Sequence, residues 1–122
     1  MQSIADKMKD DLKYIGTIKS KLIYSNIWSD QTLSDHLYKT DGVCSIEVAH
    51  DKNRLFISTK KGYEGKLKDS FQQLLDINRS MIENLLDSKE LEVLESLGTK
   101  KISNIMCHMS HIPANNTVIV SI

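Results

Sequence analysis

Leu67, Phe71, Leu74, Leu75, Ile82, Leu85 and Leu86 recur at helical spacing, and they follow a stretch in which Cys44, Ile46 and Val48 alternate with Ser45 and Glu47. A period near 3.6 gathers apolar residues into one stripe of a helix, whereas a period of 2 gathers alternate residues on one face of a strand. A chain with both patterns needs a sheet with a buried face and helices that lay their stripes on it. That combination defines the α+β class.

The remaining elements fit the same plan. Ile4, Met8, Leu12, Ile15, Ile18 and Leu22 predict an amphipathic helix over about 4–24, with Ser3 and Asp6 placed as a capping box. Ser29 and Asp30 can cap a shorter helix carrying Leu33 and Leu37. Thr40-Asp41-Gly42 is a turn signal, and Asp51-Lys52-Asn53 is a second. Leu55 to Thr59 is then the returning strand of a hairpin over 43–59.

The stripe beginning at Leu67 predicts one helix over about 66–86. Ser88 can cap a further helix with Leu91, Leu94 and Leu97, and Gly98 falls where a left-handed C-terminal cap would end it. Ile102 to Met109 is expected as a strand, Ile112 to Asn116 as its break, and Thr117 to Ile122 as a closing β-branched strand. The expectation is a single α+β domain over 1–122 in the order α-α-β-β-α-α-β-β. Its sheet is antiparallel, with helices packed on it. The two halves share element order but no residue-level repeat.

Composition narrows the function classes. Sixteen basic and sixteen acidic residues cancel, so total charge gives no reason to expect a nucleic acid or a membrane as partner. No apolar run reaches the length of a membrane span, and Met1 to Lys13 lacks the apolar core of a signal peptide. Two cysteines far apart, Cys44 and Cys107, do not make a disulfide framework, so a cytoplasmic setting is expected. An abundance of Lys, Ile and Asn beside a single proline fits a low-GC bacterial or phage genome.

Three segments can carry chemistry. Cys107-His108-Met109-Ser110-His111 offers zinc-ligand residue types. Cys107 and His108 would point to opposite faces of a strand, and Cys44, His36 and His50 sit at no paired ligand spacing, so neither metal nor cofactor is expected. The second segment runs from Lys60 to Lys68, where Lys60, Lys61, Tyr63, Gly65 and Lys66 leave a strand and enter a helix. Amides at a helix start, lysines and permissive glycines suit an anion, a nucleotide or a nucleic acid. Leu67 after Lys66 breaks the phosphate-loop pattern, and Glu64 within Gly62-Tyr63-Glu64-Gly65 departs from a basic GXXG loop. Third, His36 with His50, assisted by Lys39 or Tyr38, would suffice for a metal-independent nuclease if the fold joined them. No serine-hydrolase elbow, zincin pair or dinucleotide fingerprint is present.

What stands out is charge asymmetry. From Asp76 to Glu95 six acids face only Arg79 and Lys89. Glu83, Asp87, Glu90, Glu92 and Glu95, with Trp28, are the expected contact set for a protein partner, since acids steer a basic partner and tryptophan anchors interfaces. For Trp28 with Tyr14, Tyr24 and Tyr38, ordinary packing of the first two helices on the sheet is the commoner role. The expected function is an intracellular protein-binding module, such as an inhibitor or immunity-type protein covering a basic active site. The alternatives are a nucleotide or nucleic-acid binder at 60–68 and a histidine-based nuclease.

Overall fold

The first hairpin forms where alternation and turn residues coincide. Strand β1 (Val43–Val48) and strand β2 (Arg54–Thr59) pair antiparallel, with Ile46 opposite Ile57 and Val48 opposite Leu55. The turn places Lys52 at φ 62° and is tied by the Asn53 amide donating to Asp51 Oδ1 at 2.9 Å. A bulge between Val43 and Ser45 shifts the register, so Val43 and Ile46 meet the core while Cys44 is exposed. The simple Cys44-Ile46-Val48 face expected from alternation is corrected accordingly.

The computed structural model describes residues 4–122, and side chains from residue 11 onward. The Ser3–Asp6 capping box and the apolar positions Ile4 and Met8 lie outside the described side chains. Helices α1 (Ile4–Tyr24) and α2 (Asp30–Leu37) precede the hairpin. Helix α2 starts as expected, with the Ser29 hydroxyl accepting from the Thr32 amide at 3.2 Å. After β2 come α3 (Gly65–Ile77), α4 (Arg79–Leu85), α5 (Ser88–Met106), β3 (His108–Ile112), a 3-10 turn (Pro113–Asn115) and β4 (Thr117–Ser121). The order is the expected one, with the third helical segment divided in two.

That division has a local cause. Asn78 has φ −96° and ψ 13°, and its side-chain amide donates to the Leu74 carbonyl at 2.8 Å. The Asn78 backbone amide bonds the same carbonyl at 3.3 Å, so the break lies in the backbone angles at Asn78 while its side chain shares the acceptor. The start of α5 also differs from expectation. Its N-cap is Asp87, which accepts from the Glu90 amide at 2.8 Å, while the Glu90 carboxylate accepts from the Asp87 amide at 2.9 Å. This reciprocal box satisfies two backbone donors at once.

Gly98 does adopt a positive φ, 79° with ψ 158°, but the helix resumes after it instead of ending. Thr99 donates to Asp76 Oδ1 at 2.6 Å, fixing the resumed turn to α3. Ile102 and Met106, one helical turn apart, are both buried. The strand expected from Ile102 is therefore helix as far as Met106, and the strand begins at His108.

The sheet has the order β1-β2-β4-β3, all antiparallel. Its central strands alternate cleanly: Leu55, Ile57, Thr59, Val118 and Val120 are buried, whereas Phe56, Ser58, Thr117 and Ile119 are half-buried on the opposite face. The buried face joins one apolar cluster with Ile18 and Leu22 of α1, Leu33 and Leu37 of α2, Leu67, Phe71 and Leu75 of α3, Ile82 of α4, and Leu94 and Ile102 of α5. Each such side chain contributes about 1.5–3 kcal/mol on burial. Trp28 lies fully inside this cluster, tilted against Phe71 at a ring separation of 5.8 Å.

Candidate functional site

The acidic segment separates into two groups once folded. Glu90 is buried, bound to the start of α5 and paired with Lys21 Nζ at 2.5 Å. Glu83, Asp87, Glu92 and Glu95 remain exposed, with Glu83 bonded to Arg79 at 2.8 Å and Glu92 3.8 Å from Lys89. Asp87 has a structural duty as the α5 cap. Trp28 is entirely buried, because the chain after α1 turns inward and packs it on Phe71. Glu90 and Trp28 thus leave the surface on which a partner contact was expected.

Other residues occupy that surface. Ile77, Met81 and Leu85 fall at i, i+4 and i+8 through the end of α3 and along α4, with exposures of 73, 52 and 37%. Their spacing puts them along one side of the segment, while neighbouring Ile82 is buried. Tyr24, the last residue of α1, is 92% exposed. It shares with Leu85 a mostly apolar groove of about 420 Å³ between α1 and α4, whose remaining wall is Thr17, Ser20, Lys21 and Ser25. The helical stripe in the sequence included Leu85 as core. The second stripe, Ile77-Met81-Leu85, was visible as spacing, but its exposure depends on where α4 lies.

The basic loop is folded back on itself. Gly42 and Gly62 have φ of 88° and 87°, and the Tyr63 ring lies over the Cα of Gly42. The Lys60 amide donates to Gly42, the Tyr63 amide to Lys60, the Lys66 amide to Tyr63 and the Leu67 amide to Glu64. Two of the amides that would meet an anion at the start of α3, those of Lys66 and Leu67, are already engaged. Glu64 sits at that start and reaches His111 Nε2 at 3.3 Å. The lysines also diverge. Lys60 and Lys61 are exposed on the turn, Lys66 is 5.9 Å from the Tyr63 ring centroid, and Lys68 turns towards β3. Gly65 is exposed in the first turn of α3.

His36 and His50 are not brought together. His50 lies in the hairpin turn, at the other end of β1 from Thr40-Asp41-Gly42. Tyr38 reaches β1 instead, donating to the Ile46 carbonyl at 3.2 Å. His36 lines a polar cleft of about 260 Å³ between the end of α2 and α3, with Lys39, Thr40, Asp41, Lys66, Asp69, Ser70 and Gln73. Its Nε2 lies 2.8 Å from the Ser70 carbonyl. A carbonyl only accepts, so Nε2 carries the proton and Nδ1 is the free ring nitrogen.

In the Cys107–His111 segment, Cys107 is buried while His108 and His111 are exposed. Burial pushes the Cys107 thiol up to about 12 from an ordinary 9.0, with the nearby Lys19 charge acting in the opposite sense. No three His, Cys, Asp or Glu side chains among the described residues gather to hold a metal ion. Among the same residues, no helix is long and apolar enough to cross a membrane.

Compared with known proteins, the chain matches no family model, no curated protein and no solved structure.

Proposed function

We propose that this chain is a protein-binding module of the inhibitor or immunity type, bacterial or phage in origin and working in a reducing cytoplasm. Its contact surface is the end of α1, α4 and the first half of α5, and its partner presents a basic face. The observation that carries this reading is the exposed stripe Ile77-Met81-Leu85 beside Tyr24. Contiguous exposed apolar groups on a protein surface mark interaction sites. On the same stretch exposed Glu83, Asp87, Glu92 and Glu95 outnumber Arg79 and Lys89, an excess of negative charge that favours a basic partner and speeds encounter. Two free cysteines, one exposed, suit a reducing compartment.

Reversing charge at Glu83, Glu92 and Glu95, with Asp87 spared as a cap, tests the electrostatic half. Met81→Asp tests the apolar half. Each should weaken partner binding about tenfold or more, and the charge reversal should also flatten its salt dependence. Unchanged affinity in both variants would refute the reading. A nucleotide or nucleic-acid ligand at Lys60–Lys68 has weaker support, since the Lys66 and Leu67 amides are engaged and its lysines diverge.

A further inference from the structure

The cleft between α2 and α3 is lined by polar and charged residues of both signs. Its eight lining residues are all polar, and those from α3, Lys66, Asp69, Ser70 and Gln73, occupy one helical face at i, i+3, i+4 and i+7. The floor is fixed. Ser70 is buried, its carbonyl accepts from His36, and its hydroxyl bonds to that of Thr40. Two lysines, Lys39 and Lys66, and two aspartates, Asp41 and Asp69, complete the lining, with Lys66 Nζ 5.9 Å from the Tyr63 ring centroid. Among the described residues, none of the four is in an ion pair within 4.0 Å, although both signs line one cavity of about 260 Å³.

Balanced, unpaired charge selects its ligand. A simple anion gains from the lysines but meets two carboxylates, and a simple cation meets two ammonium groups. A ligand carrying both signs makes charge-assisted hydrogen bonds at each end and repels neither set. The volume lies below the range for drug-sized ligands, and every lining residue carries a polar group. We propose that this cleft binds a small zwitterion of the α-amino acid class with a polar side chain. Its carboxylate lies toward Lys39 and Lys66 and its ammonium toward Asp41 and Asp69. Gln73, on the same wall, is available to the side chain.

The test is a heteronuclear NMR titration of the full chain with each common L-amino acid, with acetate, methylamine and inorganic phosphate as single-charge probes. The expected result is saturable shifts of the amides of residues 36–41 and 66–73 with at least one polar amino acid. Single-charge probes should bind about tenfold more weakly or worse. Lys66→Gln and Asp69→Asn, both at exposed positions, should each weaken that binding by about tenfold while leaving the thermal midpoint in place. The proposal is overturned if no amino acid gives saturable shifts there, if acetate or phosphate binds as tightly, or if neither substitution changes the affinity.

Discussion

Lys21 of α1 and Glu90 of α5 form a 2.5 Å ion pair in which the carboxylate is buried and also closes the capping box with Asp87. One side chain therefore starts α5 and fastens it to α1. Removing a buried partner leaves an uncompensated charge or an open helix end. Glu90→Ala should lose about 2–4 kcal/mol of unfolding free energy. Glu90→Gln, which keeps an acceptor for the Asp87 amide, should lose about half as much. Urea unfolding of the three proteins checks this; equal stability would show that the pair is incidental.

Two glycines should respond differently to alanine. Gly98 has open space around it, but its φ of 79° with ψ of 158° is a conformation that side chains resist, so Gly98→Ala should cost about 1–3 kcal/mol. At Gly42 a methyl group would also overlap the Tyr63 ring, so Gly42→Ala should cost more and loosen the loop at 60–64. Hydrogen exchange of the Lys60 amide, bonded to Gly42, and of the Tyr63 amide, bonded to Lys60, reports the loosening directly.

The cysteines make a pH prediction. Cys107 is pushed up to about 12 by burial, whereas an unfolded chain releases that proton near 9.0. Below 9.0 the thiol is neutral in both states and its burial carries no ionisation penalty. Between 9.0 and about 12 only the unfolded state deprotonates, so stability falls by up to about 1.4 kcal/mol per pH unit. Cys107→Ala should remove that part of the slope in alkaline urea titrations. At neutral pH a thiol reagent should modify exposed Cys44 in the native protein and reach Cys107 only after unfolding. Equal native reactivity of both cysteines would contradict the burial.

Where local pattern decides structure, the sequence was readable. The hairpin over 43–59 was legible because turn residues and strand length agree there, although the bulge at Val43–Ser45 changed which residues of β1 face the core. The Ser29 cap was legible for the same reason. Gly98 was misjudged because a positive φ identifies glycine's conformation without saying whether the helix ends. The answer lay in Thr99 reaching Asp76 and in Ile102 and Met106 repeating at helical spacing. Burial was the least legible property. Glu90 and Trp28 belong by residue type to a contact surface, and tertiary packing put both inside. The reverse happened to Leu85, counted with the core stripe but exposed on α4. His36 and Lys39, read together as helpers of a His36–His50 pair, line one cleft, but with Lys66 and Asp69 from a distant helix and without His50.

The contact surface is tested most directly by placing a photo-activatable side chain at Met81 and, as a control, at Ser110 on the open face of the sheet. Cross-linking in cells that express the protein should give a discrete product with one other protein from position 81 only. Charge reversal at Glu83, Glu92 and Glu95 should abolish that product. Equal products from position 110, a product insensitive to the charge reversal, or only a dimer of this chain would contradict the proposed surface.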